Sequence, residues 1–119
     1  MVKVRNMKMK DLDKVARLLA IDYSLDLEKG FIEALKHTKE HLEIVPQHCF
    51  VAEADNEVVG VLILHPQKEI LEIEDFHVKD VVKNKEAAIK LKNKVLEYLE
   101  HTRVDVLCCP IVLKRLITI

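Results

Sequence analysis

The sequence predicts a mixed α/β fold with elements in the order β-α-α-β-β-β-α-β and a short C-terminal tail, all within one domain spanning 1–119. Two observations predict it. Three strand-like segments between Cys49 and Val78 are separated only by turn residues, and one long helical stretch divides the third of them from a last apolar run. Strands joined by tight turns pair antiparallel, whereas a strand–helix–strand connection is a crossover between parallel strands. The sheet is therefore expected to be mixed.

The elements follow in order. Val2-Lys3-Val4-Arg5 alternates apolar and polar, as a short half-buried strand does. Asp11 stands where a helix cap belongs, ahead of Leu12, Val15, Ala16 and Leu19 on one face. A second helix is read through Leu27, Phe31, Leu35, Thr38 and Leu42, weakened by Gly30 and stopped by Pro46. Cys49–Asp55 and Val58–His65 form a hairpin about Asp55-Asn56-Glu57. Pro66-Gln67-Lys68 leads into a strand over Ile70–Val78. Without a bulge, that strand places Glu72, Glu74, Phe76 and Val78 on one side and Leu71, Ile73, Asp75 and His77 on the other. Glu86 to about His101 has helical period, with Ala88, Leu91, Val95 and Leu99 as its apolar stripe. Val104–Cys109 reads as a buried strand ended by Pro110, and residues 111–119 fit either a strand or a helix opened by that proline.

Nineteen basic and twenty acidic residues give a net charge of -1, with five aromatic residues and no Trp. A field that would attract nucleic acid is absent, as is a stacking surface to receive bases. No apolar run approaches the roughly 20 residues of a membrane span, and the first ten residues lack a signal-peptide core. Cys49, Cys108 and Cys109 are an odd number, two of them adjacent, so we expect three buried thiols in a reducing, cytoplasmic compartment.

Val78 ends the third strand of the central run. Five positions later Lys83-Asn84-Lys85-Glu86-Ala87-Ala88 opens the long helix, which then presents Leu91. This arrangement, within the element order above, resembles the GNAT N-acetyltransferase superfamily from Val2 to about Cys109. In that family the loop is patterned Gln/Arg-x-x-Gly-x-Gly/Ala. Lys83 stands at the Gln/Arg position and Ala88 at the last, while Glu86 replaces the first glycine. The resemblance implies acetyl-CoA as co-substrate, its pyrophosphate held by Val78, Lys83, Asn84, Lys85, Glu86, Ala87 and Ala88. It also implies a chain shortened at its C-terminus.

The substitution by Glu86 has a physical consequence. A helix N-terminus binds phosphate through unpaired N–H groups and a partial positive charge. A carboxylate about 5 Å from that phosphate repels it by about 3 kcal/mol at an effective dielectric near 20. Glu86 can stand in for the phosphate at the helix start. As an ordinary helix-start carboxylate paired with Lys90 it would displace the cofactor by the same physics. Against this, Lys83, Lys85 and Lys90 lie close in sequence, and a rotated Glu86 would leave the amides free. Weak or lost acetyl-CoA binding is the expectation.

Some family members carry a glutamate base six residues ahead of the strand's last apolar residue, which here is Glu72. Glu74 neighbours it, and Asp75 can replace either if the strand bulges. The alternative is that these acids line a solvated edge. The family's usual acid, a tyrosine on a helix after the fifth strand, has no counterpart, because Tyr23 and Tyr98 lie earlier. Cys108 or Cys109 would be a poor substitute in an apolar strand. His37 and His41 share a helix face at a spacing that can bind zinc. With no H-E-x-x-H pattern or third ligand evident, no metal is expected.

The reading is a GNAT-fold, acetyltransferase-like protein with impaired catalysis and an interaction role. An active N-acetyltransferase with a divergent loop is the alternative, and a pocket for another small ligand is a third possibility. Ile111, Val112, Leu113, Leu116, Ile117 and Ile119 must fold back or be covered, which predicts a homodimer through the C-terminus.

Overall fold

A computed structural model describes residues 1–100 and 104–119. The strands are β1 (Val2–Asn6), β2 (Cys49–Ala54), β3 (Glu57–Pro66), β4 (Ile70–Val78) and β5 (Asp105–Cys108). The helices are α1 (Leu12–Tyr23), α2 (Leu27–Ile44), α3 (Lys85–Glu100) and α4 (Pro110–Ile117). His101, where the sequence puts the end of the long helix, lies outside the described residues. The sheet order is β1-β2-β3-β4-β5, antiparallel except for the parallel pair β4–β5. The mixed sheet is thus as expected, and the α3 crossover explains its one parallel pair.

Helices cover both faces. Leu12, Val15, Ala16 and Leu19 of α1 pack with Ala34 and Leu42 of α2 on Val51, Val61 and Ile63. On the opposite face Ala88, Leu91 and Val95 of α3, with Val112 and Leu116 of α4, pack on Leu62, Leu64, Ile73 and Phe76. Central β3 is buried on both sides and is apolar along most of its length. The β2–β3 turn is tighter than the sequence suggests. Its two residues, Asp55 and Asn56, have φ of 52° and 65°, the left-handed backbone that hairpin turns need and that these residue types tolerate.

Several expectations are corrected. Asp11 precedes α1 but makes no capping bond to it; its carboxylate accepts from the Arg5 guanidinium at 2.8 and 2.9 Å and from the Lys8 amide at 2.8 Å. In α2 Thr38 and Leu42 are buried as predicted, but Gly30 and Ala34 take the buried places of Phe31 and Leu35, which are half-buried beside them, and Leu27 is exposed. Close approach to α1 explains the shift, since small residues at 30 and 34 let the two helices touch. β5 is an exposed edge rather than a buried strand, with Val106 and Leu107 about half accessible. Of the three thiols only Cys49 is buried; Cys108 is half-buried and Cys109 exposed. Residues 110–117 are helical, with Pro110 in the first turn, where a missing N–H costs nothing.

Candidate functional site

The decisive local feature is in β4. Its register against β3 slips between Ile63↔Asp75 and Leu64↔Ile73, so Glu74 is an extra residue opposite no partner. Such a bulge reverses the alternation beyond it. Leu71, Ile73, Phe76 and Val78 all enter the α3 side of the core, which corrects the face assignment made for an unbulged strand. The acids Glu74 and Asp75, together with Glu72, turn towards α2 instead.

There they meet histidines. His37 Nε2 lies 3.7 Å from Glu74 Oε2, and His41 Nε2 lies 3.7 Å from Glu74 Oε1. His65 Nδ1, at the end of β3, is 3.7 Å from the same Oε1 and 3.9 Å from Glu72. Deeper in, the Tyr23 hydroxyl donates to Asp75 at 3.1 and 3.2 Å and meets His37 Nδ1 at 2.5 Å. His37, His41, His65, Glu72 and Glu74 line a cavity of about 410 Å³, with Glu40, Ile44 and Val45 at its walls.

Charge and burial set the titration of these groups. Burial, reinforced by the neighbouring Glu72, raises the Glu74 carboxyl above the usual carboxylate range. The hydrogen-bonding contribution of Asp75 raises the His37 imidazole against the opposing effect of burial. Burial, and then the Asp75 charge, push the Tyr23 phenol well above its ordinary value.

The second region is the start of α3. Asp80 has φ of 42°; its carbonyl accepts from the Asn84 amide at 2.9 Å, and its carboxylate lies 3.4 Å from the Lys83 amide. The Asn84 side chain donates back to the Lys79 carbonyl at 2.5 Å. Glu86 points outward and pairs with Lys90 at 3.5 Å, as an ordinary helix-start carboxylate does. Among the described hydrogen bonds, the loop amide facing a carboxylate is that of Lys83, and the carboxylate belongs to Asp80. Lys83 and Lys85 are exposed, whereas Val78, Ala87 and Ala88 turn their side chains into the core.

Between the two regions β4 and β5 part company. Their pairing ends at Ile73↔Cys108, which leaves the edge of β4 from Glu74 to Val78 unpaired by a strand. The bulge lies at the point where pairing ceases, which leaves a gap in the strand pairing. Arg115 of α4 reaches across it to the Phe76 carbonyl at 2.9 Å. α4 itself carries no tyrosine.

The sequence-predicted residues therefore fall into two groups. Lys83, Asn84, Lys85, Glu86, Ala87 and Ala88 sit together at the start of α3, directly after Val78. Glu72 lies at the far end of β4 among the histidines. The sequence offers the His37–His41 pair and the acids Glu74 and Asp75 separately; their meeting, and the parts of Tyr23, His65 and Asp80, are visible only in the fold. The bulge was considered only as a condition, and nothing in the local pattern requires it.

Comparison with known proteins follows from this geometry. The model of the acetyltransferase (GNAT) family matches residues 12–110. No curated protein matches the chain in sequence. Among solved structures, a Pyrococcus horikoshii protein aligns at 19% identity and TM-score 0.66, over 85% of this chain and 73% of that one. An N-acetyltransferase of Thermoplasma acidophilum in complex with coenzyme A aligns at 21% identity and TM-score 0.64, over 85% and 73%. A ribosomal-protein-alanine N-acetyltransferase of Brucella melitensis aligns at 19% identity and TM-score 0.60, over 92% and 79%. These likenesses are of fold, since identity is low in each. The family match extends from the first residue of α1 to the first residue of α4 and includes the bulged β4 and the α3 loop. The chain belongs to the GNAT acetyltransferase family.

Proposed function

We propose that this chain is an acetyltransferase-like GNAT protein that binds acetyl-CoA weakly and turns it over poorly. The observation that carries the proposal is the pair of carboxylates at the start of α3. Asp80 accepts from the Lys83 amide, and Glu86, which stands where the family's loop has glycine, keeps a second negative charge at the same helix start although it turns outward to Lys90. Lys83 and Lys85 offset part of this charge but are solvated. The residues present fit a pyrophosphate poorly. The end of β4–β5 pairing at Ile73 supports retained, weakened binding, in keeping with the coenzyme A complex of the Thermoplasma relative.

Calorimetric titration of acetyl-CoA at physiological salt tests this, together with release of free thiol in the presence of amines. Weak binding and negligible thiol release are expected. Glu86→Gly combined with Asp80→Asn should tighten binding by one to two decades, following from a repulsion of about 3 kcal/mol. Micromolar affinity of the unaltered chain with steady thiol release would overturn the proposal in favour of an active N-acetyltransferase.

A second reading concerns self-association. The β5 edge exposes Val106 and Leu107, and α4 exposes Ile111, Leu113 and Ile117 beside it. A free strand edge matches another strand edge, and a twofold pairing of β5 with its copy would bury this apolar strip. A sedimentation mass of twice 13.8 kDa is expected, and a monomer at high concentration rejects the dimer.

A further inference from the structure

The cluster between α2 and β4 is arranged as more than an ion-pair network. The Nε2 atoms of His37 and His41 each stand 3.7 Å from an oxygen of Glu74, beyond hydrogen-bonding range. Two ligands of one tetrahedral metal ion, each about 2.0–2.1 Å from it, lie about 3.3–3.4 Å apart. The distance from each imidazole to its own Glu74 oxygen exceeds that edge by a few tenths of an ångström, which side-chain adjustment covers. The three ligand atoms lie within 4.8 Å of one another.

The opposite side of each imidazole supplies the second observation. His41 Nδ1 is 3.1 Å from the His37 carbonyl, and an N–H there turns the lone pair of Nε2 towards Glu74. His37 Nδ1 is 2.5 Å from the Tyr23 oxygen, whose hydroxyl in turn donates to Asp75. Both histidines are thus fixed through Nδ1 and present Nε2 to one shared point. Metal-binding histidines are held in this way, with the outer nitrogen bonded to a carbonyl or linked to a carboxylate. Four acids (Glu40, Glu72, Glu74 and Asp75) surround this group, so the cavity favours a cation. Their i,i+4 spacing on α2 places His37 and His41 one above the other on a single face.

We infer that His37, His41 and Glu74 form a site for a divalent transition-metal ion of the zinc class. Two imidazoles and one carboxylate suit borderline ions such as Zn²⁺ or Co²⁺ rather than Mg²⁺ or Ca²⁺. Water or His65, which faces the same Glu74 oxygen, completes the coordination. Tyr23 and Asp75 are positioning residues. A metal held here engages the carboxylate of Glu74, a neighbour of the position where relatives carry their base. The inference stands whether or not acetyl-CoA binds.

The test uses the full chain freed of any affinity tag, stripped by chelator, and titrated with Zn²⁺ by calorimetry and with Co²⁺ by visible absorption. One equivalent of Zn²⁺ is expected, with a rise in melting temperature. The Co²⁺ complex should show ligand-field bands without thiolate charge transfer. Glu74→Gln, close in shape to the native residue, and His41→Gln should each weaken binding at least tenfold. Asp75→Asn should weaken it by about 10–100-fold without removing a ligand. His48→Ala, outside the cluster, should leave it unchanged. Circular dichroism of the metal-free variants identifies any that fail to fold, and the remaining ligand variant then decides. Absence of binding, a thiolate band pointing to Cys108 and Cys109, or equal affinity in Glu74→Gln would overturn the inference.

Discussion

Arg115 of α4 grips both carboxylate oxygens of Asp22 on α1, each at 2.7 Å, while the same guanidinium holds the Phe76 carbonyl of β4 at 2.9 Å. One side chain therefore ties the last helix to the first across the open edge of the sheet. Burial alone would raise the Asp22 carboxyl, but hydrogen bonds from Arg115 and His77 outweigh it and hold the group well below the usual carboxylate range. With the folded value depressed, the unfolded chain takes up the proton first as pH falls. The stabilisation is thus fully present above about pH 5 and is lost progressively in more acid solution. Arg115→Ala should cost roughly 2–3 kcal/mol near neutrality, as expected for breaking a partly buried charged bond. Urea midpoints measured from pH 7 to pH 3 should show the gap between the two proteins narrowing as pH falls.

Gly30 is required by the α1–α2 contact. A Cβ there would sit 2.2 Å from the Ala20 carbonyl oxygen, which is backbone and cannot swing aside. Alanine would favour the helix by about 1 kcal/mol in isolation. Overpacking costs typically about 1–3 kcal/mol, and contact with backbone places this case at the upper end. Gly30→Ala should therefore lower stability by about 2 kcal/mol net, read as a lower urea midpoint. A more stable variant would show that the helices can separate freely.

Thr38 faces the same core with no accessible surface, and its hydroxyl oxygen has no hydrogen-bond partner. Leaving a buried polar group unpaired costs about 1–3 kcal/mol, whereas valine has nearly the same shape. Thr38→Val should raise stability by about 1 kcal/mol, visible as a higher melting temperature.

The thiols should separate in reactivity. Burial, and then the Asp75 charge, push the Cys49 thiol up to about 11, and it has no accessible surface. Burial also raises Cys108, while Cys109 is exposed at the N-terminal boundary of α4. A thiol-specific reagent should label Cys109 first, Cys108 more slowly, and Cys49 only on unfolding. Peptide mapping after timed labelling checks the order. Early modification of Cys49 would contradict the buried environment of β2.

Local chemistry made much of this protein readable in advance. The boundaries of β4 follow from the turn residues before Ile70 and the apolar residue at Val78. The start of α3 and the mixed sheet follow from the change of period and the crossover. The family resemblance also rested on local spacing, with Val78 five residues ahead of Lys83 and Glu86 in the place of a glycine. Tertiary structure decided the rest. The first half of the α2 stripe shifts by one residue, from Phe31 and Leu35 to Gly30 and Ala34, because Gly30 meets α1, a contact between segments ten residues apart. Val104–Cys109 looked buried from its apolar content, yet β5 lies at the edge of the sheet, where one side has no neighbouring strand. Asp75 joins the face of Glu72 and Glu74, and Phe76 and Val78 leave it, because β3 is one residue short opposite Glu74. That mismatch belongs to two strands together, and no period within either reveals it. It brings Asp75 to the face where Glu74 meets His37 and His41, so sequence determined the residues available to this site and long-range pairing determined which of them meet.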